Sequence, residues 1–231
     1  TLSVNDGSSD DDFDSLDDQT VSVTTTDVDT AGLTISKEEV LVTEGGTEDT
    51  FTVALATKPT SNVVITVSSS DTGEATVSPA QLTFTPGNWN TAQDVVVTGI
   101  DDSAVDGNQS SVISLAVVDA SSADEYDSVA SGSVTATTTD NDSAGMGTTP
   151  LSSSTAEDGT TTFTVVLNTQ PSSDVVVSAT SSDTTEATLS LAQLTFTNAN
   201  WNIAQEVVVT GVTDGLIDGD QTPTVTISIV D

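Results

Sequence analysis

Any chemistry this chain performs has to come from carboxylates. Its 231 residues include 36 Asp and Glu, only two Lys or Arg, and no His or Cys, which gives a formal charge of −34 at pH 7. Without histidine or cysteine there is no imidazole base, no thiolate nucleophile and no soft ligand for a transition metal. Carboxylate oxygens instead suit hard cations, above all Ca²⁺, which accepts six to eight oxygens in a loose geometry.

The charge also disfavours several classes of partner. A chain with only Lys37 and Lys58 as cations cannot neutralise phosphates, so we expect no nucleic-acid binding. Anionic membrane surfaces would repel it, and no segment resembles a membrane span or a signal peptide. Because the chain starts at a threonine, we expect it to be a piece of a longer, processed or cropped polypeptide.

The acidic loops recur within an internal repeat. The stretch NWNTAQDVVVTGIDDSAVDGNQ at 88–109 returns as NWNIAQEVVVTGVTDGLIDGDQ at 200–221, a spacing of 112 residues. Residues 1–32 align with residues 114–145 at a spacing of 113. A repeat of this length has the size of a small β-sandwich.

The phase of the repeat predicts three segments. Residues 1–29 match the C-terminal hairpin of a preceding repeat. Residues 30–142 form one complete repeat, the first repeat, and residues 143–231 form a second repeat that lacks its last strand.

Alternation of apolar and polar residues predicts seven antiparallel strands in the first repeat. The first strand is GLTIS and EVLVT, broken near Lys37, and the others are TFTVALA, NVVITVS, QLTFT, QDVVVTGI, SVISLAVV and GSVTATTT. We interpret EATVS at 74–78 as part of a long connection, because Pro79 follows it. The pattern predicts an all-β protein of tandem two-sheet sandwiches.

In such a sandwich every second loop lies at the same end. The loops after strands one, three and five and the exit from strand seven therefore bring together one acidic set: Glu44, Asp71, Asp101, Asp102, Asp106, Asp140 and Asp142. Converging carboxylates repel one another unless a cation lies between them. We predict a calcium site at this end; the alternative is a set of solvated loop residues that bind nothing.

The second repeat carries part of the same set. Its matching acids are Glu157, Asp183, Asp214 and Asp218. Thr213 replaces Asp101, and no closing acidic pair follows within the sequence, so we predict a weaker calcium site there. Asp27 and Asp29, near the N-terminus, would serve a preceding repeat.

These motifs resemble the Calx-beta domain. The resemblance lies in an acid after the first strand, F-x-V-x-L in the second, an aspartate after the third, DD-x-x-x-D after the fifth and a closing D-x-D. NWN-x-x-Q-x-V-x-V-x-G is similar to the tandem form in giant bacterial surface proteins and adhesins. The resemblance implies a seven-stranded, immunoglobulin-like sandwich with calcium bound at its tip by the acidic set above, together with the Ala104 carbonyl. Gln109 and Gln221 stand where the family often has another acid, which leaves the number of ions open.

We therefore expect a calcium-binding structural repeat of an extracellular stalk, fibre or adhesin, in which calcium rigidifies tip loops and linkers. The segment around 21–26 has the sequence of the strand that the second repeat lacks. The repeats could thus continue in a longer chain, or copies could assemble head to tail by strand complementation.

A carbohydrate- or ligand-binding adhesion module is the alternative function, with Trp89 and Trp201 as candidate stacking residues. A tryptophan that heads a strand more often packs over the edge of the sandwich. We expect no enzyme activity, because the acids lie in tip loops and form no matched pair in a cleft.

Overall fold

The computed structural model describes residues 1–3, 5, 7–8, 10–150 and 152–230. Within these ranges the secondary structure is β-strand apart from three 3₁₀ turns of three residues each. None of the helices in the described ranges is long and apolar enough to cross a membrane.

The first repeat contains nine strands, because the first predicted strand is divided into two and 75–78 form an additional strand. They are β1 (Leu33–Ile35), β2 (Glu39–Thr43), β3 (Glu48–Leu55), β4 (Val63–Ser69), β5 (Ala75–Ser78), β6 (Gln81–Phe84), β7 (Gln93–Gly99), β8 (Gln109–Val117) and β9 (Gly132–Thr139). One sheet has the order β1-β3-β7-β5 and the other β2-β9-β8-β4-β6. The predicted all-β sandwich architecture is confirmed.

Two details of the strand prediction are wrong. EATVS is not only a connection, because 75–78 form β5, which pairs with β7. The pairings make β5 and β6 run in the same direction, so the chain changes sheets near Pro79 without reversing. The alternation of loop ends is therefore kept. The second difference is that β2 pairs with β9 in parallel, so the sheets are not wholly antiparallel.

The core of the first repeat lies between its two sheets. Phe51, Val53 and Leu55 alternate along β3 and are almost fully buried, as their period of two predicts. They pack with buried residues of the opposite sheet such as Ile65 and Phe84. The burial of these side chains stabilises the face-to-face packing of the sheets.

The second repeat contains seven strands in the described residues. They are β10 (Met146–Thr149), β11 (Thr160–Leu167), β12 (Val175–Ser181), β13 (Ala187–Leu189), β14 (Gln193–Phe196), β15 (Gln205–Gly211) and β16 (Val225–Ile229). Its sheets have the orders β10-β11-β15-β13 and β14-β12-β16. Equivalents of β2 and β9 do not form among these residues. The cluster of buried apolar residues is accordingly smaller, with nine members against nineteen.

The described residues of the N-terminal segment up to Thr30 are exposed. Its described residues form an isolated bridge between Leu2 and Gln19, and 20–32 enter no strand. The predicted hairpin of a preceding repeat is represented only by that bridge.

The two repeats meet through backbone contacts. Gln170 N–H donates to the Ser103 carbonyl at 2.7 Å, and Ala104 forms a parallel bridge with Gln170. Ser103 and Ala104 lie in the loop after β7, which is one of the acidic loops.

Candidate metal centre

Four loops converge at one end of the first repeat, which we call the tip. They are the β2–β3 turn, the β4–β5 loop, the β7–β8 loop and the segment that follows β9. Strand direction explains the convergence, because β2, β4, β7 and β9 all run toward this end.

A close backbone approach positions the β2–β3 turn. A Cβ built on Gly99, the last residue of β7, would collide with the Thr43 carbonyl at the end of β2. Gly99 N–H donates to Thr47 at 3.0 Å, and Gly46 N–H donates back to Gly99 at 3.2 Å. Glycine is therefore needed at Gly99 for close packing, and this packing places Glu44 beside the β7–β8 loop.

Glu44, Asp140 and Asp142 form the first acidic cluster, and each offers an oxygen within 4.8 Å of the others. Glu44 is only 4% exposed. Asn141 N–H donates to Glu44 Oε2 at 3.3 Å, and Asp142 N–H donates to Asp140 Oδ1 at 2.7 Å. The backbone thus holds carboxylates from the β2–β3 turn and the segment after β9 against each other.

Glu74, Asp102 and Asp106 form the second cluster, with the same 4.8 Å limit between their oxygens. Asp102 Oδ1 accepts a hydrogen bond from Ala104 N–H at 2.6 Å. Sequence reasoning missed Glu74, because EATVS was interpreted as a connection. The signal was present: Glu186 occupies the same place in the second repeat, 112 residues later and also directly before a strand.

One glutamate in each cluster has a raised pKa, so its ionised form is disfavoured when no cation is bound. Burial raises the pKa of Glu44, and the charges of Asp102 and Asp140 raise it further. Burial likewise raises the pKa of Glu74, with the charge of Asp106 the next largest cause.

Asp140 and Asp142, the two aspartates that follow β9, have pKa values shifted in opposite directions. Burial and the charge of Asp140 raise the pKa of Asp142. Asp140 is the exception, because hydrogen bonds from the Asp142 and Gly107 N–H groups lower its pKa.

The donor set fits a hard cation. Asp142 Oδ2 and Glu74 Oε2 are buried and make no hydrogen bond. Such an atom costs about 1–3 kcal/mol when it is left without a partner. Calcium binds oxygens at about 2.3–2.6 Å, so oxygens on opposite sides of one ion lie about 4.6–5.2 Å apart. The oxygens of each cluster lie within that span.

Three other predicted ligands of the first repeat lie outside these clusters. Asp71 Oδ1 accepts from Gly73 N–H at 2.9 Å. Asp101 Oδ1 accepts from the Asn141 side chain at 3.3 Å. Ala104 joins the contact with Gln170. All three lie in the tip loops, and Asp71 and Asp101 contribute negative charge to Glu74 and Asp142 respectively.

The second repeat assembles only one of the two clusters in the described residues. Glu186, Asp214 and Asp218 offer oxygens within 4.8 Å of one another. Burial, followed by the charge of Asp218, raises the pKa of Glu186. Asp183 is held by Thr185, which donates from its N–H and its hydroxyl.

The remaining predicted ligands stay apart. Glu157 is exposed, and its backbone bridges Gly211. Asp27 and Asp29 are exposed on the N-terminal segment, and they belong to neither cluster of the first repeat nor to the cluster of the second.

The two tryptophans have a packing role. Trp89 and Trp201 are half-buried against the cores of the first and second repeats. The Trp89 carbonyl accepts from Leu55 N–H at 3.0 Å, and Trp201 repeats this bond with Leu167 at 3.1 Å. These contacts match the edge-packing interpretation of a tryptophan that heads a strand.

Comparisons with known proteins give structural neighbours only. No protein-family model matches the chain, and no curated protein matches it. The apo form of the Calx CBD1 domain is similar at 15% identity and a TM-score of 0.38, over 49% of this chain and 100% of that one. The calcium binding domain CBD12 of CALX1.1 is similar at 17% identity and a TM-score of 0.35, over 77% and 76%. The E. coli chaperone DraB is similar at 8% identity and a TM-score of 0.36, over 81% and 89%.

Proposed function

We propose that the chain is a calcium-binding structural repeat of an extracellular stalk, fibre or adhesin of the bacterial surface type. The observation that carries this proposal is the pair of three-carboxylate clusters at the tip, with two buried oxygens that make no hydrogen bond. Glu44, Asp140 and Asp142 would hold one ion, and Glu74, Asp102 and Asp106 another. Bound calcium supplies the positive charge and the oxygen coordination that these clusters lack.

Calcium at the tip would stabilise the fold. Each cluster joins loops that are far apart in sequence, so an ion would tie the β2–β3 turn to the segment after β9, and the β4–β5 loop to the β7–β8 loop. For an extracellular module with a dissociation constant of about 10⁻⁴–10⁻³ M, calcium at 10 to 100 times that value adds roughly 1–3 kcal/mol per site. This is a large part of the stability of a domain.

Calcium would also stiffen the connection between repeats. Asp140 and Asp142 begin the linker to the second repeat, and the loop that carries Asp102 also carries the Ser103 carbonyl that accepts from Gln170. An ion at the tip would order both the linker and this contact. The function of the tandem repeats would then be structural, since they would provide a long and stiff stalk rather than a catalytic site. Other copies of the chain would be partners through head-to-tail strand complementation.

Calorimetry and small-angle scattering test the proposal together. Titration of the metal-free chain with calcium should give heat, and calcium should raise the melting temperature. In the same buffers, a chelator should shorten the maximum dimension measured by scattering. Unchanged heat, melting temperature and maximum dimension would contradict the proposal.

A matched pair of variants separates the site from general charge effects. Glu74→Gln removes a cluster oxygen, whereas Glu38→Gln makes the same chemical change at an exposed position between β1 and β2. Only Glu74→Gln should reduce the calcium heat. Equal effects would mean that calcium acts on the overall negative charge.

A further inference from the structure

The β15–β16 loop contains an aspartate–glycine pair at a position where the first repeat has none. Asp214 is followed by Gly215, whereas the equivalent Asp102 of the β7–β8 loop is followed by Ser103. A glycine nitrogen has no side chain beside it that would hinder its reaction with the carboxyl group of the preceding aspartate. The second repeat therefore has a reactive pair at one of its predicted calcium ligands.

The Asp214 side chain is folded back over the Gly215 peptide. Its Oδ1 accepts a hydrogen bond from Leu216 N–H at 2.8 Å. A bond from an aspartate side chain to the N–H group two residues further on closes an Asx-turn. This turn brings the side-chain carbon Cγ of Asp214 toward the Gly215 nitrogen, and these are the two atoms that a cyclisation would join.

The Gly215 nitrogen is open to reaction. Gly215 is exposed, and its N–H donates to no acceptor in the described ranges of the chain. Its φ of 81° lies in the left-handed region, which glycine adopts without strain. A Cβ built at this position would meet no atom within 4 Å, so there is room for a ring to form.

Other Asp–Gly pairs in the described residues lack one of these two features. Gly107 N–H donates to Asp140 Oδ2 at 2.8 Å, and Gly159 N–H donates to the Ala156 carbonyl at 2.9 Å. In the pair at 218–219 the aspartate accepts a described hydrogen bond only at its backbone carbonyl, so no turn folds its carboxylate over the glycine. We therefore expect these three pairs to react more slowly.

We propose that Asp214 isomerises to isoaspartate through a cyclic imide formed with the Gly215 nitrogen, and that calcium bound by the second repeat prevents this modification. The second part of this statement rests on the proposed calcium function. The first part requires only the chain itself and water.

The reaction is a loss of water followed by a gain of water. The Gly215 nitrogen attacks Asp214 Cγ and loses its proton, and one oxygen of the protonated carboxyl group leaves as water. Water then opens the five-membered imide at one of its two carbonyl groups. Opening at Cγ restores aspartate, whereas opening at the main-chain carbonyl leaves the chain running through Cγ and the main-chain carbonyl as a free carboxylate. No oxidant or reductant takes part, and isoaspartate has the same mass as aspartate.

A bound cation would block the first step. Asp214, Glu186 and Asp218 offer carboxylate oxygens within 4.8 Å of one another. Calcium held by these oxygens would retain the oxygen that has to leave as water, and would keep the carboxyl group away from the Gly215 nitrogen. Calcium at ten times its dissociation constant leaves about one tenth of the sites free, so the rate of isomerisation should fall about tenfold.

The modification would in turn remove the site. Isoaspartate lengthens the main chain by one carbon and shortens the side chain by one carbon, so its carboxylate no longer reaches Glu186 and Asp218 in the same geometry. A chain that has isomerised at 214 should therefore lose calcium binding in the second repeat. The first repeat should keep its calcium binding, because Ser103 follows Asp102. Storage without calcium would thus inactivate one repeat and spare the other.

Peptide mapping of the 231-residue chain after storage in heavy-oxygen water tests the proposal. Each aspartate that passes through the imide takes up the label from water, and chromatography separates the isoaspartate peptide from its parent. In chelator, label and isoaspartate should accumulate at Asp214 before they do at Asp106, Asp158 or Asp218. Absence of isoaspartate at 214, or equal rates at all four positions, would overturn the inference.

Two variants test the role of the glycine. Ser103→Gly creates the pair in the first repeat, where Asp102 Oδ1 accepts from Ala104 N–H at 2.6 Å in an equivalent turn. In chelator this variant should gain isoaspartate at 102. Gly215→Asn should lose isoaspartate at 214, because asparagine tolerates the left-handed region while its side chain hinders the nitrogen. Unchanged rates in both variants would overturn the mechanism.

A parallel storage series in calcium separates this inference from the proposed function. Equal rates at Asp214 in calcium and in chelator would overturn the protection by calcium and leave the cyclisation standing. A chain that gives calcium heat but forms no isoaspartate in chelator would overturn the inference and leave the proposed function standing.

Discussion

Glu74→Gln should change stability in opposite directions with and without calcium. The Glu74 carboxylate lies with Asp102 and Asp106 in a cluster whose oxygens are within 4.8 Å, and burial raises its pKa. Two unit charges at that distance repel by about 1 kcal/mol even at the dielectric constant of water. Glutamine keeps the shape and removes two such repulsions, or about 2 kcal/mol in chelator. For a domain of this size each kcal/mol shifts the melting temperature by about 4–8 °C.

In calcium the same variant should lose stability relative to the parent. Calcium at 100 times its dissociation constant adds about 2.7 kcal/mol. A hundredfold loss of affinity would reduce this to about 0.4 kcal/mol, so the variant gains about 2.3 kcal/mol less from the ion. This loss slightly exceeds the gain of about 2 kcal/mol in chelator, so the variant becomes marginally less stable than the parent. Differential scanning calorimetry of the parent, Glu74→Gln and Glu38→Gln in chelator and in calcium tests this. It measures the difference in melting temperature between each variant and the parent in each buffer.

The sign reversal is the part that can be refuted. If Glu74→Gln lowers the melting temperature in chelator, its carboxylate is not strained by its neighbours. If calcium raises the melting temperature of Glu74→Gln as much as that of the parent, Glu74 is not a ligand.

Three further predictions concern proton binding, packing and backbone approach. In chelator, the melting temperature should rise as the pH falls toward 4.5. The raised pKa values of Glu44 and Glu74 mean that the folded state binds protons more tightly than the unfolded state. Saturating calcium should reverse this pH dependence, and calorimetry over a pH series in both buffers measures it. Tyr126→Phe should cost the first repeat about 1 kcal/mol, since the buried hydroxyl donates to the Thr57 carbonyl at 2.6 Å; urea unfolding that is identical to the parent would contradict this. Gly99→Ala should lower both stability and calcium affinity, because the added methyl group would displace the Thr43 backbone. In the control Gly87→Ala, the added methyl group makes only an ordinary van der Waals contact, so neither quantity should change. Calorimetry and calcium titration of the two variants provide the comparison.

Much of the site follows from alternation along the strands. A period of two marks each strand, and the reversal of direction from one strand to the next sends alternate loops to one end. Glu44, Asp102, Asp106, Asp140 and Asp142 were therefore predictable as neighbours.

The role of Glu74 in the second cluster could not be predicted from strand alternation. Whether 74–78 form a connection or a strand depends on whether they pair with β7. The local sequence pattern does not predict that pairing. The same applies to the parallel pairing of β2 with β9, because strand partners are chosen by packing across the sandwich.

The repeat in the sequence determined that this chain would build one sandwich twice and place carboxylates at matching loops. Only the tertiary structure decided which carboxylates share a cluster, because that depends on how closely the turn at Glu44 approaches Gly99 and on where Asp140 leaves β9. It also decided the difference between the repeats. Val225 and Ile227 have the residue types of a buried strand, yet they remain half-buried, whereas the equivalent Ile113 and Leu115 of the first repeat are fully buried, because the burial of a side chain depends on what packs over its face of the sheet.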